Sequence, residues 1–378
     1  MCDLNHGIVT EISRRKLKKD VWKFHSATII YMDIPVVSRD FFRRCPLSHK
    51  TNLVPVIAVF LLFSSCAQMT TETLVREEKL KVANWNVQTF FDAVTTGDEY
   101  TEFVKSGRWG KEAYIERLKR LCSVIKAIDA DVFVMEEIEN EAVVHDISNF
   151  LAGEWNGQKV YRNAVFAKDE GSSIGCAVLS RVQLDDMKVH SLDIRTEESD
   201  MPRLRPIMEV EVISRGRRLT IFVNHWKSKS GGEEESEIWR NRQEGVLSSI
   251  MEKGIQNNSA LLALGDFNRD IADFDLASGG KVVMRFWKDG TLVDSGVCVQ
   301  SPWFSDSGKM VQPGSYYFQE EWSRIDNMFL AGKAEFIEFH VAVEGPWGDS
   351  KIFVPNRYQI WNGEGYSDHL PIVCVVRF

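Results

Sequence analysis

The chain has 378 residues, 44% of them hydrophobic, which is enough for one large domain or two small ones with a substantial core. Acidic side chains outnumber basic ones by 54 to 46 and are unevenly spread: residues 1–65 hold ten basic and five acidic side chains, the remainder 36 and 49. Because residues 66–378 are this acidic, they are a poor candidate for tight, sequence-independent binding of nucleic acid by charge alone. Binding of a phosphate polymer would require a divalent cation and a local basic patch.

Residues 53–63 form an apolar run that is too short to span a bilayer comfortably but suits the core of a signal peptide. Basic residues precede it and Ser64-Ser65-Cys66 follows, an arrangement that resembles the lipobox of bacterial lipoproteins. We predict an N-terminal extension with a signal peptide over residues 1–65, lipidation of Cys66 and a polar tether through residue 78. The protein would then be an exported bacterial lipoprotein, anchored to a membrane and facing the periplasm or the cell surface. The alternative is a core helix or strand with an incidental cysteine.

Four cysteines follow Cys66, and their wide spacing is unlike that of a disulfide scaffold or a zinc site. They are Cys122, Cys176, Cys298 and Cys374. We expect buried free thiols, with one disulfide as the alternative for an exported protein.

Strand-like and helical segments alternate through residues 79–378, without an internal repeat, a long low-complexity segment or a clear linker. Strands are predicted near residues 79–86, 131–137, 160–166, 174–180, 206–213, 218–224, 260–265, 325–330, 336–343 and 371–377. Apolar residues at helical spacing predict helices over 111–128, 141–151 and 233–251. This mixture predicts a single α/β (α+β) domain, in which two sheets are flanked by helices.

The stretch at residues 261–268, Leu-Leu-Ala-Leu-Gly-Asp-Phe-Asn, reads as a buried strand that ends at an open sheet edge. Asp266 and Asn268 would lie on the same side if the extended geometry persists. The pattern is weak alone, because Gly-Asp-x-Asn also makes an ordinary turn.

Similar polar side chains stand at the ends of other predicted strands. They are Asn86, Glu137, Asn224, His225, Asp326, Asp368 and His369. Carboxylates and carboxamides supply the hard oxygen ligands that Mg²⁺ or Mn²⁺ requires, and the lack of clustered Cys or His argues against zinc. The two histidines titrate near neutrality. The set therefore indicates hydrolysis of a phosphate ester by a metal-assisted water.

Six short motifs occur in order along residues 80–378. They are Trp85-Asn-Val-Gln88, Glu136-Glu-Ile-Glu139, Val223-Asn-His-Trp-Lys-Ser-Lys229, Leu264-Gly-Asp-Phe-Asn268, Ser323-Arg-Ile-Asp-Asn327 and Ser367-Asp-His-Leu-Pro371. Together they resemble the endonuclease/exonuclease/phosphatase superfamily. The resemblance implies a four-layer sandwich of two mixed, mainly antiparallel β-sheets flanked by helices, in a catalytic domain over residues 79–378.

The resemblance also implies roles, residue by residue. Glu137 and Asp368 match metal-binding carboxylates, and Asn86 matches an asparagine beside the metal and the phosphate. Asp266 matches the aspartate that orients or deprotonates the attacking water, with Asn268 as its neighbour on the phosphate. His225 matches a histidine near the phosphate and the leaving group, His369 a terminal histidine, and Asp326 the carboxylate that holds the tautomer of that histidine.

Other residues are placed with less support from the motifs. Arg205, Asn224 and Lys227 are predicted phosphate contacts, although a solvated edge explains Arg205 equally well. Glu136 is expected to be solvated. Gln88 stands where some abasic-site enzymes of the superfamily carry a metal-contacting aspartate, which weakens that specialised interpretation.

We therefore predict an Mg²⁺- or Mn²⁺-dependent phosphodiesterase, and specifically a DNA endonuclease of low sequence specificity, since the segment after Asn224 resembles secreted bacterial nucleases. One alternative is a lipid phosphodiesterase of the sphingomyelinase kind, which an exposed aromatic hairpin within residues 301–322 would favour. Another is a non-catalytic surface-binding lipoprotein on the same fold.

Overall fold

The computed structural model describes residues 78–155, 160–192, 202, 204–257, 259–305, 307–349 and 351–378, and the backbone of 26–31. These residues contain seventeen strands, four α-helices and one short 3₁₀ helix. The strands are β1 (Ser26–Tyr31), β2 (Lys79–Phe90), β3 (Val132–Ile138), β4 (Asn163–Lys168), β5 (Gly175–Ser180), β6 (Gln183–His190), β7 (Ile207–Ser214), β8 (Arg217–His225), β9 (Ala260–Asp266), β10 (Asp275–Ala277), β11 (Lys281–Lys288), β12 (Thr291–Gln300), β13 (Tyr316–Phe318), β14 (Glu321–Ser323), β15 (Asp326–Gly332), β16 (Glu335–Val341) and β17 (Ile372–Arg377). The helices are α1 (Thr101–Ser106), α2 (Lys111–Ile128), α3 (Glu141–Glu154) and α4 (Glu233–Gln256), with the 3₁₀ helix at Ile271–Asp273.

Two large sheets form the centre of the domain. The first has the strand order β1-β4-β5-β3-β2-β17-β16, and the second β10-β11-β12-β15-β9-β8-β7-β6. Only β2 with β3 and β8 with β9 pair in parallel, and all other neighbours within these sheets are antiparallel. The prediction of two mixed, mainly antiparallel sheets is confirmed.

The sheets pack face to face and the helices cover their outer sides. Strands β2 and β3 contact β9 across the interface, and one hydrophobic cluster runs through both sheets. Helix α4 packs on β9, β11, β12 and β15, whereas α2 packs on α3, which contacts β4. The run from Ala260 to Asp266 is buried at every position, because β9 lies between the other sheet and α4.

The element pattern matches the predicted one closely where strands are apolar and helices are long. Helix α2 begins and ends where its periodicity predicts, and α4 extends five residues beyond the predicted end. Strands β6, β10, β11 and β12 are absent from the prediction, and so is β1, which pairs with β4 along one edge of the first sheet.

The four described cysteines are free thiols, as expected, but Cys298 is exposed rather than buried because it lies on the outward side of β12. The apolar run at 53–63, the lipidation site Cys66 and the tether lie outside the described residues. In the part of the chain that is described, no helix is both long and apolar enough to cross a membrane.

Candidate active site

All the predicted catalytic residues, but not every predicted phosphate contact, converge at one rim, where the central strands of both sheets end. In the first sheet, Asn86 of β2 pairs with Glu136 of β3. In the second, Asp266 of β9 lies between His225 of β8 and Asp326 of β15. The two parallel pairs therefore deliver their carboxyl ends to the same edge, and the face-to-face packing of the sheets brings these edges together.

Asn86 connects the two sheets at this rim. Its side-chain Nδ2 donates to Asp266 Oδ2 at 3.0 Å and to Glu137 Oε1 at 3.2 Å, while its Oδ1 accepts from the backbone N–H of Gln88 at 3.0 Å. All polar atoms of this buried amide are engaged. The amide therefore fixes the spacing between the two carboxylates.

A backbone irregularity aims Glu137 at the cleft. Gln88, Thr89 and Glu137 have positive φ values of 53°, 46° and 67°, and the pairing of β2 with β3 shifts register between Asn86 and Phe90. Such conformations cost about 1–3 kcal/mol each outside glycine and cluster at functional sites. The N–H of Thr89 donates to Glu137 Oε2 at 2.6 Å, which leaves Oε1 facing Asn86.

Asp266 and Asn268 lie together, but not through an extended chain. The strand ends at Asp266, and Asn268 has a φ of 48°, in the left-handed region. The N–H of Asn268 donates to Asp266 Oδ1 at 2.8 Å, and its side chain donates to the carbonyl of Trp226 at 3.2 Å. The Gly-Asp-x-Asn turn and the strand end are therefore both present, and the turn fixes the Asp266 carboxylate.

Burial raises the pKa of Asp266 to about 7, with His369 lowering it and Asp326 raising it. The side chain is 2% exposed. A carboxyl group with such a pKa exchanges its proton near neutral pH, as a general base must.

His369 and Asp326 form the predicted pair. His369 Nδ1 lies 2.8 Å from Asp326 Oδ2, and His369 Nε2 points toward Asp266 Oδ2 at 4.0 Å. Burial alone would lower the pKa of His369, but the carboxylates of Asp326, Asp266 and Asp368 raise it well above its ordinary value. The imidazole is therefore held in its charged form.

His225 lies opposite and has different electrostatics. Its Nε2 is 3.7 Å from both Glu137 Oε1 and Asp266 Oδ2, and the side chain is 2% exposed. Burial lowers the pKa of His225 well below its ordinary value, with Arg205 and His369 adding to the shift. The site thus contains one neutral and one charged histidine on the two sides of Asp266.

Glu136 is a correction to the expectation of a solvated side chain. It is fully buried between the sheets, where Asn84 Nδ2 lies 3.4 Å from one of its oxygens and the other oxygen has no partner. Burial and the nearby Asp326 and Asp266 raise the pKa of Glu136 well above its ordinary value. Glu136 is buried because the side of β3 that carries it faces the second sheet and not solvent.

The oxygen donors at the cleft fit a hydrated magnesium ion. Among the described residues, no three His, Cys, Asp or Glu side chains approach closely enough to enclose a cation by themselves. Mg²⁺ is commonly held by one or two carboxylates, with water and substrate phosphate completing the shell. Glu137 Oε1 and the half-buried Asp368 supply such carboxylates. Arg357 Nη2, 3.9 Å from Asp368 Oδ2, stands beside them.

The three predicted phosphate contacts behave differently from one another. Arg205 stands at the cleft, where its guanidinium donates to the carbonyl of Trp226 at 3.0 Å and lies beside His225 and Tyr100. Lys227 folds back onto its own loop, donating to the carbonyls of Ser228 and Ser230.

Asn224 does not reach the cleft, so its prediction as a phosphate contact is not supported. It is fully buried, donates to the carbonyls of Phe222 and Leu264, and accepts from Trp226 Nε1 at 3.1 Å. Its place directly before His225 suggested a phosphate contact. Successive side chains on a strand point to opposite faces, however, so Asn224 of β8 faces away from the cleft that His225 enters.

Gln88 is also engaged elsewhere. Its side-chain amide exchanges two hydrogen bonds with the backbone of Tyr358, at 3.0 and 3.1 Å. The residue therefore ties the C-terminal loop to β2 and does not contact the cleft as a ligand.

Two aromatic residues at the cleft escape sequence reasoning. Tyr100 lies at the start of α1, near Glu137 and in hydrogen-bonding reach of Arg205. Tyr316 packs on the ring of His369, with centroids 4.8 Å apart. Tyr100 stands in a loop without any motif, and the aromatic cluster around Tyr316 indicates an aromatic segment but not its contact with His369.

Comparisons with known proteins agree with this geometry. A model of the Endonuclease/Exonuclease/phosphatase family matches residues 81–340. The structure of TDP2 from Caenorhabditis elegans is similar at 15% identity, covering 79% of this chain and 75% of that one with a TM-score of 0.51, and a truncated form covers 79% and 98% at 0.50 with the same identity.

A family protein from Bacteroides thetaiotaomicron has 15% identity, covers 80% of this chain and 99% of its own, and has a TM-score of 0.46. No curated protein sequence matches significantly. The similarity to TDP2 shows the two-sheet fold. The family match spans more than half of the chain, from β2 to β16, and covers the site residues from Asn86 to Asp326, whereas Asp368 and His369 lie beyond its end. This chain belongs to the endonuclease/exonuclease/phosphatase family.

Proposed function

We propose that this protein is a divalent-metal-dependent phosphodiesterase that hydrolyses nucleic acid, and specifically a DNA endonuclease of low sequence specificity. The observation that carries the proposal is the cluster of Asp266, His369 and Asp326, in which His369 Nδ1 lies 2.8 Å from Asp326 Oδ2 and its Nε2 lies 4.0 Å from Asp266 Oδ2. A general base beside a charge-stabilising imidazolium is what hydrolysis of a phosphodiester requires.

The residues divide the work by position. Asp266 orients the attacking water and accepts its proton as water adds to phosphorus. The bond to the leaving oxygen then breaks, and that oxygen takes a proton from solvent. His369, held charged by Asp326, stabilises the negative charge that develops on the phosphorane oxygens. His225 lies on the other side of Asp266, with its Nε2 3.7 Å from Asp266 Oδ2, and would donate a hydrogen bond to a phosphate oxygen. Asn268 and Asn86 position the phosphate and the Asp266 carboxylate.

Glu137 and Asp368 would hold Mg²⁺ or Mn²⁺, which when bound neutralises charge on the phosphate. Asn86, predicted as a further ligand, turns its Nδ2 toward Glu137 and its Oδ1 toward the N–H of Gln88, so it would position the Glu137 carboxylate instead. Arg205 and Arg357 add positive charge at the two sides of the cleft, near His225 and Asp368 respectively. These two guanidinium groups supply local positive charge for a phosphate chain in an otherwise acidic domain.

A lipid phosphodiesterase of the sphingomyelinase kind is the second candidate. Strands β13 and β14 form an aromatic hairpin beside His369, and Phe318 on it is 53% exposed. Two exposed glutamates, Glu320 and Glu321, stand at the tip of this hairpin. Burial of these carboxylates in a bilayer would be costly, so nucleic acid remains the preferred substrate.

Export and anchoring through a lipid on Cys66 are also proposed, on the signal-peptide pattern of residues 53–66. Determining the N-terminal residue and the mass of the mature protein from cells tests this directly. A protein that retains residues 1–65 would contradict it.

The substrate proposal is tested by incubating the protein with plasmid DNA, RNA and sphingomyelin in parallel, with Mg²⁺, Mn²⁺ or EDTA. We expect metal-dependent nicking of plasmid that disappears in Asp266→Ala. Cleavage of sphingomyelin without nicking would support the second candidate. If wild-type protein cleaves none of the three substrates, and Asp266→Ala binds metal as wild type does, the result would support a binding protein on this fold.

A further inference from the structure

A stepped aromatic surface leads from the proposed catalytic histidine to solvent. The ring of Tyr316 packs on His369 at 4.8 Å, and Phe318 lies nearly parallel to Tyr316, at an interplanar angle of 26° and a centroid distance of 6.3 Å. Residues two apart on a strand share a face, so both rings project from the same side of β13. The exposed fraction of Phe318, 53%, leaves most of its ring free.

The hairpin that carries these rings is held firmly against the site. The N–H of Leu370 donates to the carbonyl of Ser315 at 2.7 Å, and the Ser315 hydroxyl accepts from the N–H of Asp326 at 3.3 Å. On the opposite face, Tyr317 packs on Trp322 at 5.0 Å, and Trp322 contacts the core. The aromatic surface therefore keeps a fixed position relative to both members of the Asp326–His369 pair.

We propose that Tyr316 and Phe318 form a stacking platform for a nucleobase adjacent to the scissile phosphate. The inference rests on the proposed function and specifies its substrate contact on the His369 side of the cleft. Every base has a flat face, so stacking on aromatic side chains binds single strands without sequence preference. An acidic domain gains affinity in this way without a large basic surface.

The surroundings of the platform favour a base over a lipid chain. Tyr316 faces Asp368, Arg357 and Asp266, so its inner edge borders the place where a phosphate is bound. The hairpin turn at Gln319 and Glu320 carries a carboxylate at its outer end. A nucleobase, which is neutral, planar and attached to a phosphate, fits an aromatic surface that begins beside the phosphate and ends at a carboxylate. A hydrocarbon chain or bilayer would have to bury the charged turn at Glu320.

Substitutions of Phe318 in the full chain separate stacking from simple apolar contact. We expect Phe318→Ala and Phe318→Leu each to raise KM for a single-stranded oligonucleotide about tenfold, with kcat within about twofold of wild type. Phe318→Trp, which enlarges the aromatic face, should keep KM at or below the wild-type value. The melting temperature of each variant serves as the control for folding, and the exposed position predicts little change.

An oligonucleotide of equal length with abasic residues in place of its bases supplies the second arm. Wild type should show the raised KM on it, and Phe318→Ala should cause no additional loss, because the two changes remove the same contact. Equal KM values for wild type and Phe318→Ala on the normal oligonucleotide would overturn the platform while leaving the nuclease proposal intact.

Vesicles of phosphatidylcholine form the third arm. Binding to vesicles that Phe318→Ala loses and Phe318→Leu keeps would replace the base with a lipid surface. Wild-type protein that cleaves no nucleic acid with Mg²⁺ or Mn²⁺ would overturn both the proposed function and the platform.

Discussion

Three carboxylates raise the pKa of His369, and Asp326 is the one bonded to it, through Oδ2 and Nδ1. In Asp326→Asn the amide no longer stabilises the imidazolium. We expect the pKa of His369 to fall and kcat on plasmid DNA to decrease about 100-fold or more. Both are measurable, the first by NMR titration of the histidine ring.

A second carboxylate–histidine contact provides the control for this variant. Glu209 Oε2 lies 2.6 Å from His190 Nε2 on neighbouring strands β7 and β6, at the edge of the second sheet. Glu209→Gln should leave kcat unchanged. An Asp326→Asn enzyme with wild-type kcat would show that the charge of His369 plays no part in the reaction.

Asp266 predicts a pH dependence of stability in metal-free protein. Its pKa is raised to about 7 in the folded state from an ordinary value of 3.8. Folding therefore takes up a proton between these values, and the resulting stabilisation is lost as pH rises through about 7. Asp266→Asn cannot lose a proton, so its melting temperature in EDTA should exceed that of wild type by more at pH 8 than at pH 5. A pH-independent difference in scanning calorimetry would contradict the raised pKa.

At the scale of elements, helix α2 supports the corner of β2 at residues 87–89, next to the proposed metal ligand Glu137. Arg117, fully buried, donates to the carbonyls of Val87, Gln88 and Thr89, and its guanidinium lies 3.7 Å from the ring centroid of Tyr358. These carbonyls belong to the left-handed corner whose N–H groups hold Asn86 and Glu137. The guanidinium of Arg117 thus holds the backbone of residues 87–89 on the side opposite Asn86 and Glu137.

Arg117→Lys tests this support, because an ammonium group cannot reproduce the planar set of donors. We expect the Kd for Mn²⁺, measured by calorimetry without substrate, to rise about tenfold. Arg217→Lys is the matched control: Arg217 also donates to a carbonyl, that of Phe378, but from the far end of β8. If both variants bind Mn²⁺ like wild type, the corner does not depend on α2.

The sequence predicts elements well where burial is one-sided or complete. Helix α2 and the apolar strand β9 follow their periodicity, and every predicted catalytic residue comes to one rim. Strands β11 and β12 were missed although the sequence indicates them: five of the eight residues of β11 are apolar, and Asp289-Gly290 between the two strands is a hairpin turn signal.

Residue directions at the site were harder to predict than residue identities. Alternation along β3 predicts that one of Glu136 and Glu137 faces solvent. The second sheet instead buries Glu136, and the positive φ of Glu137 turns that side chain toward the cleft. Tyr100 and Arg205 meet only through tertiary contact, which no local pattern encodes.

At the scale of the whole molecule, strand β1 lies within the segment that the proposed signal peptidase cleavage would remove. Cleavage before Cys66 would remove Ser26–Tyr31, which pairs with β4 at one edge of the first sheet. An edge strand with one partner contributes less than a central strand. We expect a chain lacking residues 1–65 to keep its melting temperature within a few degrees and its kcat within about twofold of the full chain. Loss of folding on truncation would place these residues in the domain and contradict the signal peptide.

The most direct test of the account is plasmid nicking by wild type and Glu137→Gln over a series of Mg²⁺ concentrations, with EDTA as the zero point. The cluster described here predicts no nicking in EDTA, nicking by wild type at low Mg²⁺, and at least about a tenfold higher requirement for Mg²⁺ in Glu137→Gln. Nicking that persists in EDTA, or identical Mg²⁺ dependence in the two proteins, would contradict a metal-dependent phosphodiesterase centred on Glu137 and Asp266.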